Sequence, residues 1–203
     1  MLLYLRLYLG KKRQESIAIF GGSFDPPHKG HQQIVEKAVA TLDIDRLLIV
    51  PAYLNPFKQS SLAPAKLRLQ WCQTLFDPLE KVSVSDYEIL QGKSMYTADT
   101  VKHFQKMYDV KYLIIGSDNL ESLTKWHQYE WLNQQVIWVV ATRKNSSFDT
   151  SMLRKWVKIE LDEAISSTHI RSTQQLDGVD EKIVDSVKQV LIQKSQQTKD
   201  RNR

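Results

Sequence analysis

The chain has 203 residues, 42% of them hydrophobic and 25% charged, which is enough for one α/β domain with a substantial core and ordinary for a soluble globular protein. The formal net charge is +5, but residues 1–15 carry four basic side chains and one acid, so only +2 belongs to the rest and a dedicated nucleic-acid surface is not called for. A single cysteine, Cys72, excludes an internal disulfide and a multi-cysteine zinc site, and no apolar run approaches the ~18 residues of a membrane span.

Residues 1–15 are apolar from 2 to 9 except for Arg6, and Lys11, Lys12 and Arg13 follow. A secretory signal has its charges before its apolar segment, so the order here is reversed. The segment reads as a flexible N-terminal extension to a single domain over 16–193, with a polar tail over 194–203. The first strand spans 16–21, built on Ile17-Ala18-Ile19-Phe20. A helix over 29–42 carries Ile34, Val35, Ala38, Val39 and Leu42 at helical spacing. The near-continuous apolar run 45–50 suits a parallel strand buried on both faces. A proline-containing loop over 51–63 leads to a helix over 64–76, where Leu67, Trp71 and Leu75 form one stripe and Cys72 is a buried thiol. Residues 82–89 alternate like a strand. Thr97 or Asp99 caps the next helix, which turns Val101, Phe104 and Met107 inward. Strands follow at 111–115, 136–141 and 155–161, with short helical pieces around Trp126 and Trp131 between the first two and a polar loop over 143–150. Ser166 to Thr168 offer a helix cap, and a last helix spans 179–193. Strands alternating with helices imply right-handed crossovers and a Rossmann-like, open, mostly parallel sheet of five to six strands with helices on both faces.

Between the first strand and first helix stands Gly21-Gly22-Ser23-Phe24-Asp25-Pro26-Pro27-His28-Lys29-Gly30-His31. Two glycines let the backbone turn sharply and come close to a ligand. Loop amides and a helix N-terminus can face an anion such as phosphate. His28 and His31, three apart, share a helical face. Two histidines over an anion-binding loop point to phosphate transfer. A zinc pair is the weaker reading, because no third ligand stands at a recognisable spacing. Asp25 reads as a hydrogen-bond acceptor of the loop rather than a base.

This stretch resembles the G-G-[ST]-F-D-P-x-H-x-G-H signature of the nucleotidyltransferase superfamily, and Ile165-Ser166-Ser167-Thr168-His169-Ile170-Arg171 resembles its I-S-S-T-x-[IV]-R motif. Further along, Tyr96-Thr97-Ala98-Asp99-Thr100 is similar to the family's [ST]-Y-T-x-D-T-[LIV] stretch. The likeness spans roughly residues 16–192 and points to the bacterial nicotinate-nucleotide adenylyltransferases. It implies adenylyl transfer from ATP to nicotinate mononucleotide, with release of pyrophosphate and no covalent enzyme intermediate. It further implies His28, His31 and Arg171 as catalytic residues. ATP would be bound by Gly21, Gly22, Ser23, Phe24, His31, Gly116, Asp118, Ser167, Thr168 and Arg171. The acceptor would be bound by Lys58, Thr97, Trp126 and His127, with Trp126 under the pyridine ring. Mg2+ would accompany ATP through phosphate oxygens and water, without a resident metal site. The resemblance also implies a cytoplasmic enzyme with no nucleic-acid or membrane partner, and leaves a homo-oligomer open. Phe57 stands where relatives often carry histidine, and residues 1–15 precede the point where the family usually begins. Nicotinamide mononucleotide and pantetheine phosphate are the alternative acceptors, although Pro27-His28 argues against the second. A nucleotide-binding regulator without catalysis and a nucleic-acid module using the basic leader are the alternatives of other classes.

Overall fold

Six strands pair into one sheet in the computed structural model, which describes residues 13–144, 146–162 and 166–201, with side chains to 197. The first twelve residues of the expected extension, the last two of the expected tail and Ile165 of the second motif lie outside these. The strands are β1 (Ser16–Gly22), β2 (Arg46–Pro51), β3 (Val82–Val84), β4 (Asp109–Gly116), β5 (Ile137–Arg143) and β6 (Trp156–Leu161). Their order is β3-β2-β1-β4-β5-β6, and every pairing is parallel. The helices are α1 (Lys29–Thr41), α2 (Ala65–Phe76), α3 (Tyr87–Gln91), α4 (Thr97–Phe104), α5 (Leu120–Leu123), α6 (Tyr129–Gln135), α7 (Ser167–Thr173) and α8 (Glu181–Arg201).

The period-two geometry of β1 divides the core. Ala18 and Phe20 point into one apolar layer with residues of α1, α2 and α8. Ile17 and Ile19 point into the other, with residues of α4, α5 and α6. All four are essentially inaccessible to water, as a parallel strand covered on both faces must be. The expected α/β architecture is therefore present, with the sheet wholly parallel among the described residues. β1 lies between β2 and β4, so the direction of strand succession reverses at the β1/β4 boundary. Ligands of open α/β sheets bind beyond the strand C-termini at such a reversal.

Three expectations need correction. Residues after Val84 do not continue β3. Ser85 donates its amide to Ile49, the last ladder-like contact, and Leu90 then donates to Asp86 in a helical turn. Gly92, at φ +64°, closes that turn, so α3 buries Glu88 and Ile89 at adjacent positions instead of alternating them. The capping position of α4 is Tyr96, not Thr97 or Asp99, and α4 ends at Phe104, leaving Met107 half exposed. The last helix starts at Glu181, where the Asp180 carboxylate accepts the Lys182 amide at 2.9 Å, and it runs on to Arg201, past residue 193.

Arg68 shapes the ground under the site. It occupies the buried stripe of α2 with Trp71, Cys72 and Leu75 and is only 1% exposed. Its guanidinium donates to the carbonyls of Ser23 (2.6 Å), Ala52 (2.7 Å), Tyr53 (2.6 Å) and Ala63 (3.2 Å). The Asp25 carboxylate accepts the amides of Leu62 (2.7 Å) and Ala63 (3.0 Å). The loops after β1 and after β2 are thus stitched to one another through a buried cation and a buried acceptor. Arg68→Met strands those carbonyls and is expected to cost about 3–5 kcal/mol of stability in urea unfolding, the scale for removing one member of a buried charged network. A loss below about 1 kcal/mol would contradict this account of the loops.

Candidate nucleotide-binding and catalytic site

A cavity of about 500 Å³ opens at the C-terminal ends of β1 and β4. Every residue that the sequence resemblance nominated lines it: Gly21, Gly22, Ser23, Phe24, His28, His31, Lys58, Thr97, Gly116, Asp118, Trp126, His127, Ser167, Thr168 and Arg171.

The loop leaving β1 forms the floor. Glycine suits position 22, because a Cβ there would stand 3.1 Å from the Phe24 ring and the ring, buried in the core, would have to give way. Phe24 itself takes a left-handed backbone (φ 46°), turning the chain from strand to helix while its ring packs edge-on to Phe20. His28 occupies the N-cap position of α1 and is 6% exposed. Its backbone amide donates to Nδ1 of His31 at 3.2 Å, and the two rings lie 3.8 Å apart. That bond makes His31 Nδ1 an acceptor, so a neutral His31 carries its proton on Nε2. Burial lowers the His28 pKa to about 4. Burial, and then the neighbouring His28, hold His31 well below the usual imidazole range, although it keeps part of its surface open to the cavity. His28 Nδ1 is buried with no hydrogen-bond partner among the described residues.

The second motif closes one wall. Ser166 caps α7 by accepting the His169 amide at 3.1 Å, and Ser167 donates to the Pro26 carbonyl at 2.9 Å. Arg171 donates through Nη1 to the Asp25 carbonyl at 2.7 Å and through Nη2 to the Thr168 hydroxyl at 3.0 Å. The two motifs, more than 130 residues apart, are therefore bonded directly to each other. Lys58 leans in from the loop after β2 and donates to the Ser23 hydroxyl at 3.3 Å. Burial, and then the Arg171 guanidinium, lower its pKa. Cations crowded this way favour an anionic ligand between them.

At the end of β4, a Cβ on Gly116 would collide with the Asp118 carboxylate, so glycine here lets that carboxylate keep its place. Asn119 orients it, donating to Asp118 at 3.1 Å and to the Gly116 carbonyl at 3.2 Å. Across the cavity Trp126 is half-buried, edge-on to Trp138, and His127 stacks on Tyr96 at 4.5 Å. Thr97 opens α4 beside them. Phe57, in the usual histidine's place, is 67% exposed at the rim.

Some groups went unnoticed in the sequence. Arg68 supports the floor from behind, and its only sequence signal is a charge on an otherwise apolar helical stripe. Glu88 lines the cavity but stood in a segment read as strand. Arg143 lines it too, at the C-terminal end of β5, where the strand-end rule could have found it.

Among the described residues, no three His, Cys, Asp or Glu side chains are grouped to hold a metal ion. No helix of the described residues is long and apolar enough to cross a membrane.

The cytidylyltransferase-like family model matches residues 19–173. A probable nicotinate-nucleotide adenylyltransferase of a Sulfurovum species is 57% identical over 180 residues, covering 89% of this chain and 96% of that protein. The protein of the same description from a Nitratiruptor species is 50% identical over 157 residues, covering 76% and 86%. Among solved structures, Plasmodium falciparum nicotinic acid mononucleotide adenylyltransferase complexed with NaAD shares the fold, with a TM-score of 0.69 at 20% identity over 88% of this chain and 95% of that one. With the glycine turn, the histidine pair and the Ser-Ser-Thr helix start all converging on one cavity, the chain belongs to the cytidylyltransferase-like family and, within it, to the nicotinate-nucleotide adenylyltransferases.

Proposed function

We propose that the protein transfers the adenylyl group of ATP to nicotinate mononucleotide, giving nicotinate adenine dinucleotide and pyrophosphate in NAD biosynthesis. The observation that carries the reading is the meeting of both phosphate-binding motifs with an aromatic-walled pocket in a single cavity. An acceptor phosphate oxygen attacks the α-phosphorus, one P–O bond forms, and the bond to pyrophosphate breaks. Such a reaction asks the protein for alignment and charge stabilisation rather than a nucleophile.

Placement in the cavity supports a role for each residue. Neutral His31 donates from Nε2 to an α-phosphate oxygen, and His28 presents the cavity with a second imidazole. Ser167, Thr168 and Arg171 hold the β- and γ-phosphates and stabilise the departing pyrophosphate. Gly21, Gly22, Ser23 and Phe24 let the loop backbone approach the phosphates, with Gly116 and Asp118 on the ribose. Lys58 meets the acceptor phosphate, Trp126 offers a flat face to the pyridine, and Thr97 and His127 flank its carboxylate. Mg2+ would accompany the triphosphate as part of the substrate, held through phosphate oxygens and water. The proposal includes a cytoplasmic location, with which the buried free thiol of Cys72 is compatible.

Pyrophosphate release with Mg·ATP is expected to be fastest with nicotinate mononucleotide, slower with nicotinamide mononucleotide and absent with pantetheine phosphate. Preference for either of the other acceptors would overturn the substrate reading. His31→Ala removes a preorganised donor and is expected to lower kcat by about 10²–10³-fold with a much smaller change in KM. An unchanged kcat would remove His31 from the chemistry. The low pKa of His28 also has a stability consequence for the ligand-free protein. Its folded value of about 4 lies below the unfolded value near 6.5. Above 6.5 neither state is protonated at this site; as pH falls toward 4 only the unfolded chain gains the proton, so stability is lost across that window, by up to about 3 kcal/mol. His28→Gln should flatten this part of the pH–stability curve, and an identical acid-side slope in the variant would contradict it.

A further inference from the structure

The cavity wall carries two acidic side chains among the described residues, Asp118 and Glu88. Asp118 has a place on the ribose in the reading above; Glu88 has none. Three observations set it at the acceptor end. Its carboxyl accepts the Thr100 hydroxyl at 2.6 Å. Thr100 lies three residues after Thr97 on α4, so the two threonines share a helical face roughly 5–6 Å apart, and Glu88 is bonded to the helix one turn on from Thr97. Its other oxygen, Oε2, has no partner among the described residues, yet is not sealed from the cavity as His28 Nδ1 is. A carboxyl only 7% exposed on the wall of a cavity is unusual in a pocket meant for an anion.

We propose that Glu88 sets the charge selectivity of the acceptor end: with its proton it admits an anionic substituent on the pyridine ring and can donate to it from Oε2, and without the proton it repels that substituent. The inference rests on the nicotinate mononucleotide reading and supplies its specificity-determining residue. The surroundings leave the proton in control. On α3 the neighbour is Tyr87, whose phenol is pushed up by burial and then by Asp99 and Glu88. On α4 stand Asp99, Thr100 and His103, the last stacked on Tyr87. From β2 the layer is apolar, with Leu48 and Val50. From α2, Arg68 is turned away to the carbonyls of the loops. Lys58 and His127 also line the cavity, His127 stacked on Tyr96 next to Thr97. Burial raises the Glu88 pKa to about 7, and the Thr100 hydrogen bond opposes it in part.

The sign is then fixed. Below about 7 Glu88 is neutral and an anionic acceptor enters freely; above it, binding that acceptor requires taking up a proton, so kcat/KM falls by up to tenfold per pH unit. The test compares wild type with Glu88→Gln, a permanently neutral isostere, between pH 7 and 9, with nicotinate mononucleotide and nicotinamide mononucleotide as acceptors and Mg·ATP saturating. Wild type is expected to lose nicotinate mononucleotide kcat/KM as pH rises while its nicotinamide mononucleotide kcat/KM does not fall. Glu88→Gln should be flat with both. Calorimetry of nicotinate mononucleotide binding at pH 8, in buffers of different ionisation enthalpy, should show proton uptake by wild type and none by the variant. Superimposable pH profiles, or equal proton uptake, would overturn the role of Glu88 while leaving the activity intact. Absence of turnover by wild type with nicotinate mononucleotide at every pH would instead overturn the functional reading, and this inference with it.

Discussion

The site depends first on how one loop is held. The segment from Gly21 to His28 must turn from strand to helix, present its backbone to phosphates and keep its carbonyls out of the cavity. Arg68 does the last of these from below at Ser23, and also takes Ala52 and Tyr53 of the loop after β2 by their carbonyl oxygens. Arg171 takes the Asp25 carbonyl from the side, and Ser167 takes that of Pro26. Holding the Ser23 carbonyl outward turns the Phe24 amide to the opposite side, because the peptide unit is planar; the Asp25 and Pro26 carbonyls are followed by prolines, which have no amide hydrogen, so their bonds fix the course of the loop instead. Helices from different parts of the chain thus determine the orientation of a few peptide groups. A further pair of contacts, the Lys29 amide to the Gly178 carbonyl and Gln32 to Asp180, ties α1 to the turn before α8.

Electrostatics follow from that frame. Lys58, Arg143 and Arg171 surround a space where only two carboxyls line the wall among the described residues. A charged histidine pair would add to this repulsion, and burial instead keeps both imidazoles neutral at pH 7. Neutral imidazoles still donate hydrogen bonds, so the site keeps its directionality without the cost of two further buried cations. The incoming triphosphate then supplies the missing negative charge, and the cavity is matched to a liganded state rather than to an empty one.

What the sequence disclosed and what it hid divide along physical lines. Strands buried on both faces, such as Ile17 to Phe20 and Leu47 to Val50, announce themselves as continuous apolar runs. Gly22 and Gly116 are visible because each is a glycine at the end of such a run, where the chain must turn close to its own side chains. The short helix α3 was hidden because Tyr87 and Ile89 alternate with polar neighbours over a span too short to separate the two periods. With it went Glu88, whose importance depends on a Thr100 hydroxyl twelve residues away. Arg68 was hidden for a related reason: its partners are main-chain carbonyls, which carry no sequence signature. The Tyr96–His127 stack joins two segments that only the fold brings together.

The account places the adenylate end of the product at the β1 loop and α7, and the pyridine end between α4 and the turn before α6. The most direct test is a structure of the protein with nicotinate adenine dinucleotide bound. The account predicts the adenylate phosphate within hydrogen-bonding distance of His31 Nε2, the ribose at Asp118, and the pyridine ring against Trp126 with its carboxylate beside Thr97 and Glu88. A dinucleotide bound in the reverse direction, or a pyridine ring seated away from Trp126 and α4, would contradict it.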